Sequence, residues 1–360
     1  MRIGINAALL ASRGGYRQTG VSRYIGELSR ALRPLLGADE TLCMLEPTAP
    51  TVAERPALRI PWEQCALPVL ARRAQLDLLH GPLHVLPRVG GPPGVITIHD
   101  LAFLHFPERV PRSRRLYLTA GTRWSMKLAK QVIAVSESTA TDVQRWLGVP
   151  AGRIEVIPLA PTDAIQPIVG EDVAAFQQRN EITRPYVLCV GTLEPRKNLG
   201  RLLRAFAGIA GEVPHQLVLV GPEGWLNEEM HATLAELQLG DRVRLTGFVD
   251  DADLGAWYSG ADLFAFPSLY EGFGLPPLEA MRCGAPVVTS HVSSLPEVVG
   301  DAALTVDPED VAALAAAMRR VLTDRALADD LRGRGIERAA QFSWKRTARE
   351  TLAVYRDAVR

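Results

Sequence analysis

The run YVLCVGTLEPRKNLGRLLRAFAGIAG, residues 186–211, decides the architecture. It opens on five residues, Tyr186 to Val190, with no polar interruption, as expected of a strand buried on both faces. A loop follows from Gly191, and then Leu199, Leu202, Leu203, Phe206 and Ile209 recur at helical spacing. Strand, loop and helix in this order form half of a βαβ unit. The loop carries Arg196 and Lys197 just before the helix. The first amides of a helix have no internal partners and its dipole favours an anion there. Arg offers a planar fork and Lys a point charge, both suited to phosphate. Two solvated cations in a loop would be the plainer reading of the pair alone, but its position between a strand and a helix N-terminus favours a phosphate site.

The same pattern extends in both directions. Before this run, apolar segments stand at RIGINA (2–7), LCMLEP (42–47), DLLHGP (77–82), GVITIHD (94–100), QVIAVS (131–136) and IEVIPLA (154–160). After it come QLVLVG (216–221), VRLTGFV (243–249), ADLFAFPS (261–268) and APVVTS (285–290). Each is followed by a loop and a helix-period segment, which predicts an α/β chain with two doubly wound, Rossmann-like domains. The break belongs near residues 160–185, which carry prolines and a polar helix but no strand pattern. The 360-residue length is more than one core ordinarily fills and suits two domains. Ligands in such folds lie at the carboxyl ends of the strands, and two domains facing one another place the site in the cleft between them.

Bulk properties narrow the function. Forty basic and forty acidic residues cancel, so no overall field favours nucleic acid or membrane. Cys43, Cys65, Cys189 and Cys283 include no CxxC pair and read as buried free thiols of a reducing cytosol. MRIGINAALL reads as a first strand rather than a signal peptide. No apolar run approaches the roughly 20 residues needed to span a bilayer. These features predict a cytoplasmic protein with no nucleic-acid partner.

YEGFGLPPLEA, residues 270–280, carries the second candidate constellation. Glu271 falls in the loop after a strand. Glu279 falls early on a helix that begins around Pro276 or Pro277 and stops near Gly284. Gly272 and Gly274 permit a tight turn and close approach of a ligand to the backbone. The amides of Phe273, Gly274 and Leu275 can face a bound group, and carboxylates accept hydrogen bonds from vicinal hydroxyls. A glycosidase would use such a pair as acid and nucleophile, but that leaves the neighbouring phosphate site unexplained. As a helix N-terminal charge, Glu279 needs no ligand, but Glu271 has no such explanation.

GTLEPRKN, PSLYEGFGLPPLEAMRCGAPVV, SSLPEVVGDAALTVDP and FSW occur in the order found in the family 4 glycosyltransferases of the GT-B fold, which the whole chain resembles. Glu271 and Glu279 match that family's E-x7-E pattern. The resemblance implies a first domain over residues 1–165, with helix 343–360 packing back on it, and a nucleotide-sugar domain over 166–342. It implies retaining transfer of a hexose from a nucleotide-sugar donor, with no metal ion and no other cofactor. Arg196, Lys197 and Gly20 would bind the diphosphate, and Glu279 the ribose. Glu271 with Phe273, Gly274 and Leu275 would hold the sugar. Phe248, Val249 and Leu254 would contact the base, close to VGPEGW (220–225). His99, after the strand GVITI, would contact the transferred sugar as a catalytic residue, with Asp100 fixing its tautomer or a turn. Gly14, Gly15 and Arg17 precede Gly20 without an assigned role.

Similarity to bacterial mannosyltransferase-like sequences makes GDP-mannose the favoured donor and a UDP-hexose the second candidate. The acceptor would be a saccharide or lipid-linked glycan. Residues 109–130 are basic, with Arg112, Arg114, Arg115, Arg123, Lys127 and Lys130 beside a stripe of Leu116, Ala120, Trp124 and Leu128. Such a helix either packs the stripe in the core or docks on anionic lipid at the inner face of the cell membrane. A GT-B sugar phosphorylase, a nucleotide-sugar epimerase and a non-catalytic nucleotide-sugar-binding subunit are the alternatives.

Overall fold

Continuous apolar runs become central strands only where helices cover both faces of a sheet, and this happens twice in the chain. The computed structural model describes residues 1–11, 20–110, 112–224 and 227–360. They divide into two units: Met1–Leu159 with Ser343–Arg360, and Ala160–Phe342. The first unit holds β1 (Arg2–Asn6), β2 (Thr41–Leu45), β3 (Leu78–Gly81), β4 (Gly94–Ile98), β5 (Ala129–Ala134) and β6 (Ile154–Val156), all parallel, in the spatial order β2-β1-β3-β4-β5-β6. The second holds β7 (Tyr186–Val190), β8 (Gln216–Val220), β9 (Val243–Gly247), β10 (Leu263–Phe266), β11 (Val287–Ser290) and β12 (Leu304–Val306), in the order β12-β11-β10-β7-β8-β9.

Strand order fixes where a ligand can sit. In the second unit the chain runs outward from β7 through β8 to β9, then returns to the other side of β7 with β10. The order reverses between β7 and β10, where Leu263 stands opposite Val187 and Phe264 opposite Leu188. In open α/β sheets the ligand crevice lies outside the carboxyl ends of the strands at such a reversal. The loops leaving these two strands are the two motif loops, GTLEPRKN and PSLYEGFG. In the first unit the reversal lies between β1 and β3, one strand away from β4 and its His99.

The terminal helix, Trp344–Val359, belongs to the first unit and packs along helix Gly20–Leu32. Ser343 caps it, accepting from the Arg346 amide. Trp344, Ala348, Leu352 and Tyr355 fall on one face and are buried. At roughly 1.5–3 kcal/mol for each large apolar side chain removed from water, this face makes the helix an integral layer. Thr347 donates to the Pro158 carbonyl at 2.7 Å, and Arg356 meets Glu40 through two hydrogen bonds of 2.8 and 2.9 Å.

Several expectations need correction. The chain divides at 159/160, six residues before the expected boundary. Arg282 holds the Thr162 carbonyl at 3.1 Å and pairs with Asp163, drawing that stretch into the second unit. β12 escaped notice because it is three residues long and half-exposed at a sheet edge. Of the cysteines, Cys189 and Cys283 are buried, but Cys43 is only half-buried and Cys65 is exposed on a π-helical turn, Trp62–Ala66. In helix Arg112–Leu128 the stripe Leu116, Ala120, Trp124 and Leu128 faces outward. Gly121, Thr122, Ser125 and Met126 face inward instead, and Ser125 accepts from the Leu86 amide at 2.8 Å. Small and hydroxyl residues let this helix sit close to the loop after β3.

Gly255, inside helix Asp251–Ser259, faces the backbone of Gln166, and a Cβ there would be driven into the Gln166 carbonyl oxygen. Alanine gains roughly 1 kcal/mol of helix propensity over glycine, whereas overpacking costs about 1–3 kcal/mol and a backbone carbonyl cannot swing aside. Gly255→Ala is therefore expected to lower the melting temperature of the second unit by several degrees. A melting temperature equal to or above wild type would show that the linker around Gln166 yields.

Candidate active site

Gly191 ends β7 with φ +152°, and a Cβ there would lie 3.2 Å from Lys197 Cε. The glycine thus makes room for the lysine stem. A short turn, Pro195–Lys197, leads to Asn198 in the left-handed region at φ +61°, and helix Leu199–Ile209 starts there. The Asn198 amide donates to the carbonyls of Pro267 and Pro308 at 3.0 and 2.7 Å. Leu269 N donates to the Arg196 carbonyl at 2.9 Å. The two motif loops are tied together by these bonds before any charged side chain is considered.

Arg196, Lys197 and Glu271 meet in one cluster. Lys197 Nζ lies 2.6 Å from Glu271 Oε1, and Arg196 Nη1 lies 2.7 Å from Glu271 Oε2. Ser268 Oγ donates to Oε1 at 2.6 Å. Arg196 also donates to the Tyr270 carbonyl at 2.7 Å and pairs with Glu194 at 2.7 Å. Lys197, Glu271 and Glu194 are buried, and the ammonium stands 4.7 Å from the centre of the Phe266 ring. Burial pushes the Glu271 pKa up, but Arg196, Lys197 and the two hydrogen bonds outweigh it and hold the carboxyl at about 2. Two cations and two carboxylates balance. A bound anion would compete with Glu271 and Glu194 for the donors of Arg196 and Lys197.

The sequence reading gave no role to Glu194, Ser293 or Ser294, although all three lie inside the quoted motifs. Ser293, at φ +52°, accepts from the Glu271 amide at 2.9 Å. Ser294 Oγ reaches the carbonyls of Glu271 and Phe273 at 2.9 and 2.7 Å. These serines clamp the loop that presents Glu271. Two adjacent serines just after the apolar run APVVTS are the signal that could have found them. Gly274, at φ +111°, leads into helix Leu275–Arg282, which begins one residue before the expected prolines. Phe273 packs edge-on against Phe342 at 5.8 Å. Glu279, one turn into the helix and 2% exposed, accepts from the Tyr258 hydroxyl at 3.1 Å. Phe248 is exposed, Val249 half-buried and Leu254 buried.

In the first unit His99 follows β4, and its ring meets Tyr24 edge-on at 4.7 Å and 81°. Burial is the main influence on it and, with His84 nearby, lowers its pKa to about 3 against the opposing pull of Asp100 and the Pro82 carbonyl. The ring is neutral at physiological pH. It donates to the Pro82 carbonyl, and Nε2 is buried with no hydrogen-bond partner among the described residues. The Nδ1–H tautomer follows, with Nε2 left as an acceptor. Pro82, not Asp100, fixes this tautomer, while Asp100 accepts from the Ala102 amide at 3.0 Å and closes a turn. Gly20 is exposed and opens helix Gly20–Leu32. Gly14, Gly15, Arg17 and Trp225 of VGPEGW lie outside the described residues.

A depressed carboxyl pKa contributes stability above the ordinary value of 4.5 and loses it as pH falls toward about 2. The second unit should therefore lose stability between these values, and Glu271→Gln should flatten that part of the curve in denaturant titrations at several pH values. An unchanged slope would show that Glu271 is not held ionised by its neighbours.

Residues 18–160 match the family model described as Glycosyltransferase Family 4, and residues 172–339 match Glycosyl transferases group 1. The chain is similar to O-antigen chain mannosyltransferase B of Escherichia coli, 37% identical over 283 residues, covering 78% of this chain and 74% of that protein. It is 33% identical over 265 residues to MMP alpha-(1->4)-mannosyltransferase of Mycolicibacterium hassiacum, covering 70% and 60%. In structure it resembles sucrose-phosphate synthase from Thermosynechococcus elongatus, with a TM-score of 0.82 at 25% identity over 99% of this chain and 98% of that one. It also shares its fold with HepE of Anabaena, solved in complex with UDP-glucose, with a TM-score of 0.80 at 19% identity over 99% and 100%. With two family models tiling both units and relatives of this closeness, the chain belongs to the family 4 glycosyltransferases of the GT-B fold and is a glycosyltransferase.

Proposed function

We propose that the protein transfers mannose from GDP-mannose to a saccharide or lipid-linked glycan, with retention and without a metal ion or other cofactor. The observation that carries this reading is the Arg196–Lys197–Glu271 cluster at the crevice where strand order reverses between β7 and β10. Mannose is favoured by the mannosyltransferase names of the relatives. Arg196 and Lys197 supply the positive charge that a diphosphate leaving group needs. As they turn to the phosphates, Glu271 is released to accept hydrogen bonds from the sugar hydroxyls. Glu279 takes the ribose, sharing its carboxylate with Tyr258. Gly20 approaches the diphosphate, Phe273 to Leu275 approach the sugar through their backbone, and Phe248 and Val249 flank the base. His99, neutral and with Nε2 open, accepts a hydroxyl of the transferred sugar.

The anomeric carbon breaks its bond to the diphosphate oxygen and forms one to the acceptor oxygen on the same face. The acceptor proton passes to the departing phosphate. No side chain becomes covalently attached, so the enzyme's contribution is positioning and charge compensation. Arg196→Ala and Glu271→Ala are each expected to lower kcat/KM by on the order of a hundredfold, the effect of losing about 3 kcal/mol of transition-state stabilisation. Normal turnover in either variant would remove the cluster from the mechanism. GDP should raise the melting temperature more than UDP or ADP, and EDTA should leave that shift intact. A larger UDP shift would transfer the proposal to a UDP-hexose donor, and an EDTA-sensitive one would reject metal independence.

The protein is further proposed to touch anionic membrane peripherally at the cytoplasmic face. Leu116, Trp124 and Leu128 are exposed beside Arg112, Arg123, Lys127 and Lys130, with Leu116 67% exposed. Arg88 and Lys127 flank the Trp124 ring at 5.6 and 6.0 Å. Among the described residues no helix is long and apolar enough to cross a membrane. Flotation with anionic liposomes at low salt should carry the protein upward, and Leu116→Ser/Trp124→Ser should abolish this. Absence of flotation by the wild type would reject membrane contact.

A further inference from the structure

Four polar side chains lie in the core of the first unit, on two strands and two helices and beside His99. Tyr355 Oη, from the terminal helix, is 2.6 Å from His80 Nδ1 on β3. His80 Nε2 is 2.8 Å from Thr97 Oγ1 on β4. Thr97 Oγ1 is 3.0 Å from Tyr24 Oη, on helix Gly20–Leu32. Tyr355, His80 and Thr97 are fully buried and Tyr24 is 2% exposed. The Tyr24 ring then meets His99 edge-on at 4.7 Å. Tyr24 thus spans Thr97 and His99, with its hydroxyl on the first and its ring edge on the second.

A core built only for packing would fill these places with apolar groups at lower cost, since every buried polar atom must find a partner. The chain adds direction to packing. Burial lowers the His80 pKa to about 3, so its ring is neutral, with one nitrogen donating and the other accepting. One end of the chain therefore dictates the polarity of the other. The Tyr24 hydroxyl is held at Thr97, and this fixes the ring plane that faces His99. We propose that Tyr355 is a positioning residue for transfer, acting through His80, Thr97 and Tyr24 to hold the His99 ring in its working orientation. This rests on the assignment of His99 to the transferred sugar.

The test uses the full-length enzyme with GDP-mannose and a mannose disaccharide, well below the lowest melting temperature of the set. Tyr355→Phe and Thr97→Val are made singly and in combination with His99→Ala; Thr97→Val is nearly isosteric and breaks the chain in the middle should Tyr355→Phe fail to fold. Each is expected to lower kcat about tenfold with the donor KM within about twofold, Thr97→Ser is expected to restore it, and neither should lower kcat further in the His99→Ala background. Losses that add in that background, or a lower melting temperature with kcat unchanged, would overturn the proposal. Unchanged kcat in His99→Ala alone would instead overturn the assignment of His99, and the positioning role with it. NMR of the His99 ring protons needs no sugar nucleotide. Their ring-current shifts from Tyr24 should change in Tyr355→Phe and Thr97→Val while Nδ1 stays protonated, whereas identical spectra would reject the coupling.

Discussion

The second unit depends on a carboxylate that stays ionised while buried. Glu271 alone, in that position, would be driven toward its neutral form by desolvation. Two cations and a serine hydroxyl reverse this and lock its loop to the loop after β7. The rest of the crevice serves the same end. Asn198 ties the loop backbones, Ser293 and Ser294 hold the Glu271 segment, and Gly191 opens space for the lysine stem. A buried ion cluster of this kind is an inefficient way to gain stability compared with apolar packing. What it does achieve is to hold two cations oriented at one place.

The first unit solves the opposite problem. His99 is kept uncharged by burial, and its proton is assigned by the Pro82 carbonyl. One unit therefore offers fixed charge and the other a neutral acceptor on a rigid strand end. Both groups follow central strands paired in parallel on each side, so their positions inherit the stiffness of a sheet.

Strands buried on both faces were legible in the sequence because Val, Ile and Leu runs have few other uses. The loops after β7 and β10 were legible because Gly, Pro and charge are concentrated there. The edge strand Leu304–Val306 was hidden, since three half-exposed residues carry no periodicity. Helix Arg112–Leu128 misled in a different way. Its apolar stripe has ideal spacing for a core, yet the inward face is Gly121, Thr122, Ser125 and Met126, because close approach to a neighbouring loop demanded small side chains. Pairing between Arg196, Lys197 and Glu271 could not be read from residues 74 or more positions apart; strand order had to bring them together. Spacing shows which residues lie near a strand end, but not which of them touch.

The return of residues 343–360 to the first unit has a consequence for biosynthesis. The second unit is one uninterrupted stretch, complete once Phe342 has been made. The first is interrupted, and His80, Trp344 and Tyr355 share one interior although 275 positions separate His80 from Tyr355. Multidomain chains ordinarily finish their N-terminal domain first. Here the N-terminal domain must wait, its inner surface open, while the whole of its neighbour is translated. Its final layer, residues 343–360, is made only after the whole second unit, so of these two units the first begun is the later completed.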